Sequence, residues 1–311
     1  MSQSRIAPMF IMMAASLWAI DAIFRTQLTF TIPPASIVMI EHAIGFLFLS
    51  PFFFKYLSKI KSLSMREWGI LLAMTVVSSV AGTILFTEAL AKSFSEFDFV
   101  TPILLQKLQP VFVILFSAIF LKEKISRRFI MLTACALFGS YLISFGFSPV
   151  QLQFVGKELV FLLAIGAAAA WGSGTVLSKY SLSKLPFPAV SALRFLLAVP
   201  VAYIFSIFLG ETYNVMNLGY DQIWRFVVIA ALTGGAIAIY LYYKGLQKTE
   251  AKVSTIAELM FPIVSILIAI TPLNPYGAPQ QLTMANIIGI VILLVSIILI
   301  SFKKKIPIER E

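Results

Sequence analysis

Long apolar runs, each about the length of a bilayer crossing, recur along this chain and leave it few folds to choose from. A hydrocarbon core of about 30 Å takes roughly 20 apolar residues per helix. Breaks of charge, proline and glycine divide the sequence into ten such runs, near 7–26, 35–55, 68–91, 99–121, 128–148, 157–179, 187–209, 223–246, 252–271 and 283–302. Only 12% of the residues are charged and 59% are hydrophobic, whereas an ordinary soluble domain has roughly a quarter charged. Too little polar surface remains to cover a water-soluble fold. Barrel strands would read as short alternating segments instead. The sequence therefore predicts an all-α membrane protein with ten transmembrane helices. The first run follows Arg5 and imitates a signal peptide, but it continues to Phe24, beyond a typical signal core.

A net charge of +10 would suit nucleic acid if the basic residues shared one surface. They follow the loops instead. With the N-terminus in the cytoplasm, 18 of the 24 Lys and Arg fall in inward segments. Arg25, Lys92, Lys157 and Arg225 fall in outward ones, and Lys107 and Arg194 lie within runs. This is the positive-inside pattern. It makes the charge an orientation label, with both termini cytoplasmic in a plasma membrane and no nucleic-acid partner. The single cysteine, Cys135, and the single histidine, His42, exclude a disulfide framework and a Cys or His metal cluster. No cofactor is expected.

The chain also resembles itself at an offset near 152 residues. Trp18 matches Trp171, Pro34 and His42 match Pro186 and Arg194, and Pro110-Val-Phe matches Pro262-Ile-Val. Gly82 with Phe86, Ala89 and Leu90 resembles Gly235 with Tyr242, Gly245 and Leu246. The Gly139 to Gly146 region loosely resembles that around Gly289. Matches in the same order point to two halves, 1–150 and 151–311, of five spans each. Five is odd, so the second half starts on the opposite side of the membrane and the repeats are inverted. Inverted repeats with a site near the midplane are typical of secondary transporters.

These residues resemble the drug/metabolite transporter superfamily, specifically its EamA-type members. The resemblance rests on Ala14-Ala15-Ser16-Leu17-Trp18 and Ala167-Ala168-Ala169-Ala170-Trp171-Gly172 in the first helix of each repeat. It also rests on Pro186 to Arg194, on Pro110-Val111-Phe112, and on Leu121-Lys122-Glu123 before the fifth span. It implies ten helices in two five-helix repeats and the export or exchange of small metabolites. The chain departs from the pattern in three places. His42, beside Glu41, stands where the first repeat would commonly carry Arg; Pro272 to Pro279 replaces the Leu-x-Glu element; and Glu96-Phe97-Asp98 lengthens one connection.

Ionisable groups at bilayer depth cost several kcal/mol and mark a pathway or a partner. Here they are Asp21, Arg25, Glu41, His42, Glu88, Lys107, Arg194 and Glu258. Helical spacing puts Trp18, Asp21 and Arg25 on one stripe, Thr255, Glu258 and Pro262 on another, Trp171, Gly174 and Ser178 on a third, and Tyr240 with Tyr243 on one face. The expected substrate-binding set is Trp18, Asp21, Glu41, His42, Gln109, Trp171, Ser173, Arg194, Tyr240, Tyr243 and Glu258. Glu41, His42 and Glu88 are the proton-coupling candidates, since histidine titrates near neutrality and a carboxylate neighbour would raise its pKa. Each has a plainer reading. The tryptophans serve equally as packing aromatics, Glu88, Arg25 and Lys107 as snorkelling interfacial groups, and Asp21, Arg194 and Glu258 as structural ion pairs.

The function that follows is a secondary transporter of small organic metabolites working by alternating access, with proton or counter-substrate coupling. Aromatic walls suit an amphipathic solute, and mixed charges suit a zwitterion such as an amino acid. A lipid-linked sugar flippase is the alternative within transport. An intramembrane enzyme is disfavoured by the lack of a catalytic constellation, and no phosphate-binding loop points to ATP. The oligomeric state is not encoded in any recognisable pattern.

Overall fold

All regular structure among the described residues is helical. This computed structural model describes residues 3–94, 100–149, 156–211, 213–275 and 277–302. The helices are α1 (Gln3–Thr29), α2 (Pro34–Lys55), α3 (Met65–Ser93), α4 (Val100–Gln106), α5 (Gln109–Phe120) and α6 (Arg127–Phe145). They continue as α7 (Glu158–Lys184), α8 (Phe187–Phe208), α9 (Tyr220–Leu246), α10 (Ala251–Ala257), α11 (Met260–Ala269) and α12 (Met284–Ser301). Glu96, Phe97, Asp98 and the basic run Lys303–Lys305 lie outside the described residues.

Among these residues nine helical segments are long and apolar enough to cross a bilayer, with α10 and α11 together making one. The expected run 99–121 differs. Its apolar helix is shorter, Leu104–Phe120, and it is interrupted where α4 ends at Gln106 and α5 restarts at Gln109. Pro110 sits in the first turn of α5, where a missing N–H removes no helical bond. Glu258 and Leu259 make the corresponding break between α10 and α11, again just before a proline, Pro262.

Local chemistry sets the starts. Ser64 and Glu67 form a reciprocal capping box at the head of α3, and Thr283 and Asn286 form another at α12. The Ser126 hydroxyl accepts the Phe129 N–H at α6. Such side chains satisfy amide donors that lipid could not. Pro33 and Pro186 precede α2 and α8 and hold the entering chain extended. Within α3 and α9 the helix widens to π-helical turns at Thr75–Ala81 and Ile229–Thr233, local irregularities often found at functional sites.

Corresponding helices pack in matched ways. α1 packs on α9 and α11, α7 on α3 and α5, α2 on α8, and α6 on α12. The α6–α12 crossing depends on two glycines. A Cβ at Gly139 would stand 2.8 Å from the Gly289 carbonyl oxygen, and one at Gly289 would stand 2.7 Å from that of Gly139. Small residues thus bring the backbones together where lipid supplies no hydrophobic drive between helices. The ring contacts match as well. Trp18 lies 5.2 Å from Tyr242 at 55°, and Trp171 lies 5.3 Å from Phe86 at 56°. Large apolar side chains such as Phe54, Phe120, Met131, Leu162 and Phe208 stay exposed on the outside, as a lipid-facing surface requires.

Candidate functional site

The two helix breaks face each other, and polar side chains fill the space between them. Gln109, at the first break, donates from Nε2 to Oε2 of Glu258, at the second, over 3.0 Å. The Tyr242 hydroxyl donates to the other carboxylate oxygen of Glu258 at 2.9 Å and lies 3.1 Å from Thr175 Oγ1. Both oxygens of an intramembrane carboxylate are therefore engaged, by neutral donors rather than by a cation. Trp18 covers the Tyr242 ring. The Tyr243 ring centroid follows at 5.7 Å, so the three rings make a continuous aromatic shelf.

Arg194 of α8 stands at the far end of that shelf. It donates to the Tyr243 hydroxyl at 2.8 Å and, at 3.5 Å, to Ser78 Oγ in the π-helical turn of α3. Ser178 Oγ lies 3.1 Å from the same tyrosine hydroxyl. The Arg194 Nε is buried and finds no acceptor among the described residues, and no carboxylate there pairs with this guanidinium. The guanidinium thus has neutral partners and one unused donor. Gly174 lets α7 approach α3 closely beside it: a Cβ at Gly174 would collide with Ser78.

A separate ionic group closes the other end of α1. Arg25 bonds to Asp21 and, at 2.9 Å, to Glu41, while Thr233 Oγ1 donates to Asp21 at 2.8 Å. Gly234 backs onto all three charged side chains, and a Cβ there would lie 2.6 Å from an Asp21 oxygen. Asp21 and Glu41 are thus brought together by Arg25 rather than set on the shelf. Neighbouring positions on a helix point about 100° apart, so Glu41 and His42 do not pair as the sequence suggested. His42 Nδ1 meets the Val38 carbonyl oxygen at 2.8 Å, and its ring stacks 4.7 Å from Phe195. Arg25, counted from the sequence among the ionisable groups at bilayer depth but not in the binding set, organises this group.

The other expected residues scatter. Trp171 packs on Phe86, and the Ser173 hydroxyl turns back to the Ala170 carbonyl at 2.9 Å. Glu88 is half-buried, with Lys92 3.9 Å away. Lys107 donates to Ser140 at 3.3 Å. Tyr240 does not join Tyr243. Its ring lies between Phe52, at 5.4 Å, and Phe187, at 4.8 Å, at the end of α2. Tyr242, Thr175 and Ser78 were missed as site residues. The one signal for Tyr242 was its repeat match to Phe86.

The turn leading into α10 is held from two sides. The Glu123 carboxylate accepts the Ala251 N–H at 2.7 Å and the Lys252 N–H at 3.0 Å, and Lys252 Nζ returns a bond to the Lys124 carbonyl at 2.7 Å. Lys179 Nζ donates to the carbonyls of Leu246, Gln247 and Thr249 at 2.6, 3.2 and 2.6 Å. A carboxylate on helix-start amides and an ammonium on helix-end carbonyls both follow the helix dipole. The Leu-x-Glu element therefore fastens the half-helix whose far end carries Glu258.

Comparison with known proteins adds a lineage to this geometry. The profile of the EamA-like transporter family matches residues 5–145 and again 159–302. A protein of Fusobacterium nucleatum described as "Riboflavin transporter ImpX" is 31% identical over 300 residues, covering 94% of this chain and 96% of that one. An "Uncharacterized transporter sll1164" of Synechocystis is 23% identical over 220 residues, or 68% of this chain and 61% of its own length. A crystal structure that is 18% identical in sequence superposes with a TM-score of 0.71 over 94% of this chain and 96% of that one, a likeness of fold alone.

Proposed function

The chain belongs to the EamA-like transporter family, and from that premise we propose that it moves a planar, amphipathic heteroaromatic solute of the riboflavin kind across the plasma membrane by alternating access. It is a multi-pass membrane transport protein and not an enzyme. The proposed mechanism uses two five-span halves, 1–150 and 151–311, inverted with respect to each other and with both termini cytoplasmic. Support comes from the paired helix breaks, the paired π-helical turns and the two Trp-to-ring contacts that cross between halves.

The observation that carries the solute class is the shelf of Trp18, Tyr242 and Tyr243 between Arg194 and the Gln109–Glu258 pair. A flat ring system gains stacking contact on such a shelf. Carbonyl acceptors on one edge would meet Arg194, and N–H donors on the other would meet Glu258. Rocking of the halves would separate Gln109 from Glu258 and expose the shelf to one side at a time. A free amino acid would use the two poles but has no ring system to stack on the rings between them.

Counterflow in proteoliposomes tests this directly. Vesicles loaded with unlabelled riboflavin are expected to accumulate labelled riboflavin, and vesicles loaded with amino acids are not. Arg194→Gln and Glu258→Gln should each reduce the flux about tenfold, the loss of one charge-assisted bond, at normal expression. Amino-acid counterflow without flavin counterflow, or wild-type rates in both variants, would overturn the assignment.

A further inference from the structure

The cluster around Tyr240 forms a cavity of its own. It has a volume of about 490 Å³ and lies between Phe52, Lys55 and Tyr56 at the end of α2 and the Leu182–Pro188 turn that joins α7 to α8. That volume is in the range of small-molecule sites. The walls come from both halves, and they combine the Phe52, Tyr240 and Phe187 rings with the ammonium groups of Lys55 and Lys184. Lys184 lies 3.7 Å from Glu67 and 5.9 Å over the Tyr180 ring, and Lys55 lies 5.6 Å over the Tyr56 ring with no acid partner among the described residues. Gln247 donates from Nε2 to the Leu182 carbonyl at 2.9 Å, which fixes the turn on one side of the cavity.

The opposite end of the same helix pair provides an internal comparison. There the α2 amide of Ala35 donates to the carboxylate of Glu211, which follows α8, at 2.9 Å. Here α2 ends on Lys55 and the helix before α8 ends on Lys184, and the Phe187 amide at the head of α8 donates to no acceptor among the described residues. One end of the α2–α8 pair thus has a carboxylate bound to a helix-start amide, while the other presents two lysines, of which only Lys184 has an acid nearby, and a cavity.

We propose that this cavity is a second binding site, at the cytoplasmic mouth, for an aromatic solute bearing a phosphate or other anionic group. The rings take the aromatic portion and Lys55 and Lys184 take the anion. A ligand there bridges the two halves and restrains their rocking, so it inhibits transport from the inside. The choice of a flavin phosphate as probe rests on the riboflavin reading, but the site itself does not.

The test uses the full chain in detergent and titrates riboflavin 5′-phosphate, read by flavin fluorescence, against inorganic phosphate and phosphatidylglycerol micelles. The phosphate ester should bind, and the Lys55→Gln/Lys184→Gln double variant should weaken it at least tenfold while riboflavin binding changes less than twofold. In sealed vesicles the ester should inhibit only from the cytoplasmic face. Equal affinity in the double variant would overturn the proposal. So would displacement of the ester by phosphatidylglycerol with no preference for the ring, which would make the cavity a lipid-headgroup site. If riboflavin is not transported but the ester binds through the lysines, the solute assignment fails and this site stands.

Discussion

Glu123 offers the sharpest single perturbation, because its carboxylate takes two amides of α10 at 2.7 and 3.0 Å from a connection in the other half. A bond to a charged group contributes about 1.5–3 kcal/mol. The site is half-buried, so water replaces part of what is lost, and Glu123→Ala should weaken the crossing contact by about 2 kcal/mol. If that contact holds the cytoplasmic side shut, the open population rises by about 30-fold. Glu123→Gln keeps a carbonyl acceptor and should produce a shift of about half that free energy, or about fivefold. The assay places a cysteine at Ser254, fully buried one turn into α10, in a Cys135→Ser background, and follows its alkylation by an impermeant maleimide from the cytoplasmic face. Faster labelling in the order Ala, Gln, wild type is the expected result. Unchanged labelling with unchanged thermal stability would refute the reasoning, since it would mean that water substitutes fully for the carboxylate.

Three further variants test structural roles. Gly289→Ala would put a methyl 2.7 Å from the Gly139 carbonyl and 2.9 Å from Leu142 Cβ, so the α6–α12 crossing should spread and stability should fall by about 1–3 kcal/mol; an unchanged melting curve in detergent would contradict the close approach. Arg25→Gln leaves Asp21 and Glu41 buried without their cation, and should cost about 3–5 kcal/mol and most of the folded yield. Arg25→Gln/Asp21→Asn should recover part of that yield, and a normal yield in the single variant would show that the triad is not structural.

The elements were legible wherever a single helix carried the information. Run length set the spans, and capping residues such as Ser64 and Thr283 stood where the helices begin. The interrupted run at 99–121 was not read as broken, although Pro110 and Pro262 stood at matching places. A proline in a first turn leaves hydropathy untouched, and what ends α4 is the backbone at Lys107 and Leu108, not composition.

The site was harder to read because it depends on which face of a helix meets which neighbour. Tyr240, Tyr242 and Tyr243 lie within one turn of α9, and spacing alone favoured the pair three apart. α9 is not regular upstream of them. The π-helical turn at Ile229–Thr233 and the non-helical Gly235 rotate everything that follows. Tyr242 therefore meets Trp18 and Glu258, Tyr243 meets Arg194, and Tyr240 is turned to the cavity with Phe52 and Phe187. The repeat carried the missing information. Trp18 matches Trp171, Tyr242 matches Phe86, and each tryptophan crosses to the aromatic of the opposite half at nearly the same distance and tilt. Of the two matched positions only Tyr242 has a hydroxyl, and it is the one that reaches Glu258. The two matched contacts thus form a symmetric aromatic frame, and polarity within it sits on the side where α10 breaks. The asymmetry between Tyr242 and Phe86 is what gives the shelf a hydrogen-bonding end, so Tyr242→Phe should weaken solute recognition more than Phe86→Tyr disturbs it.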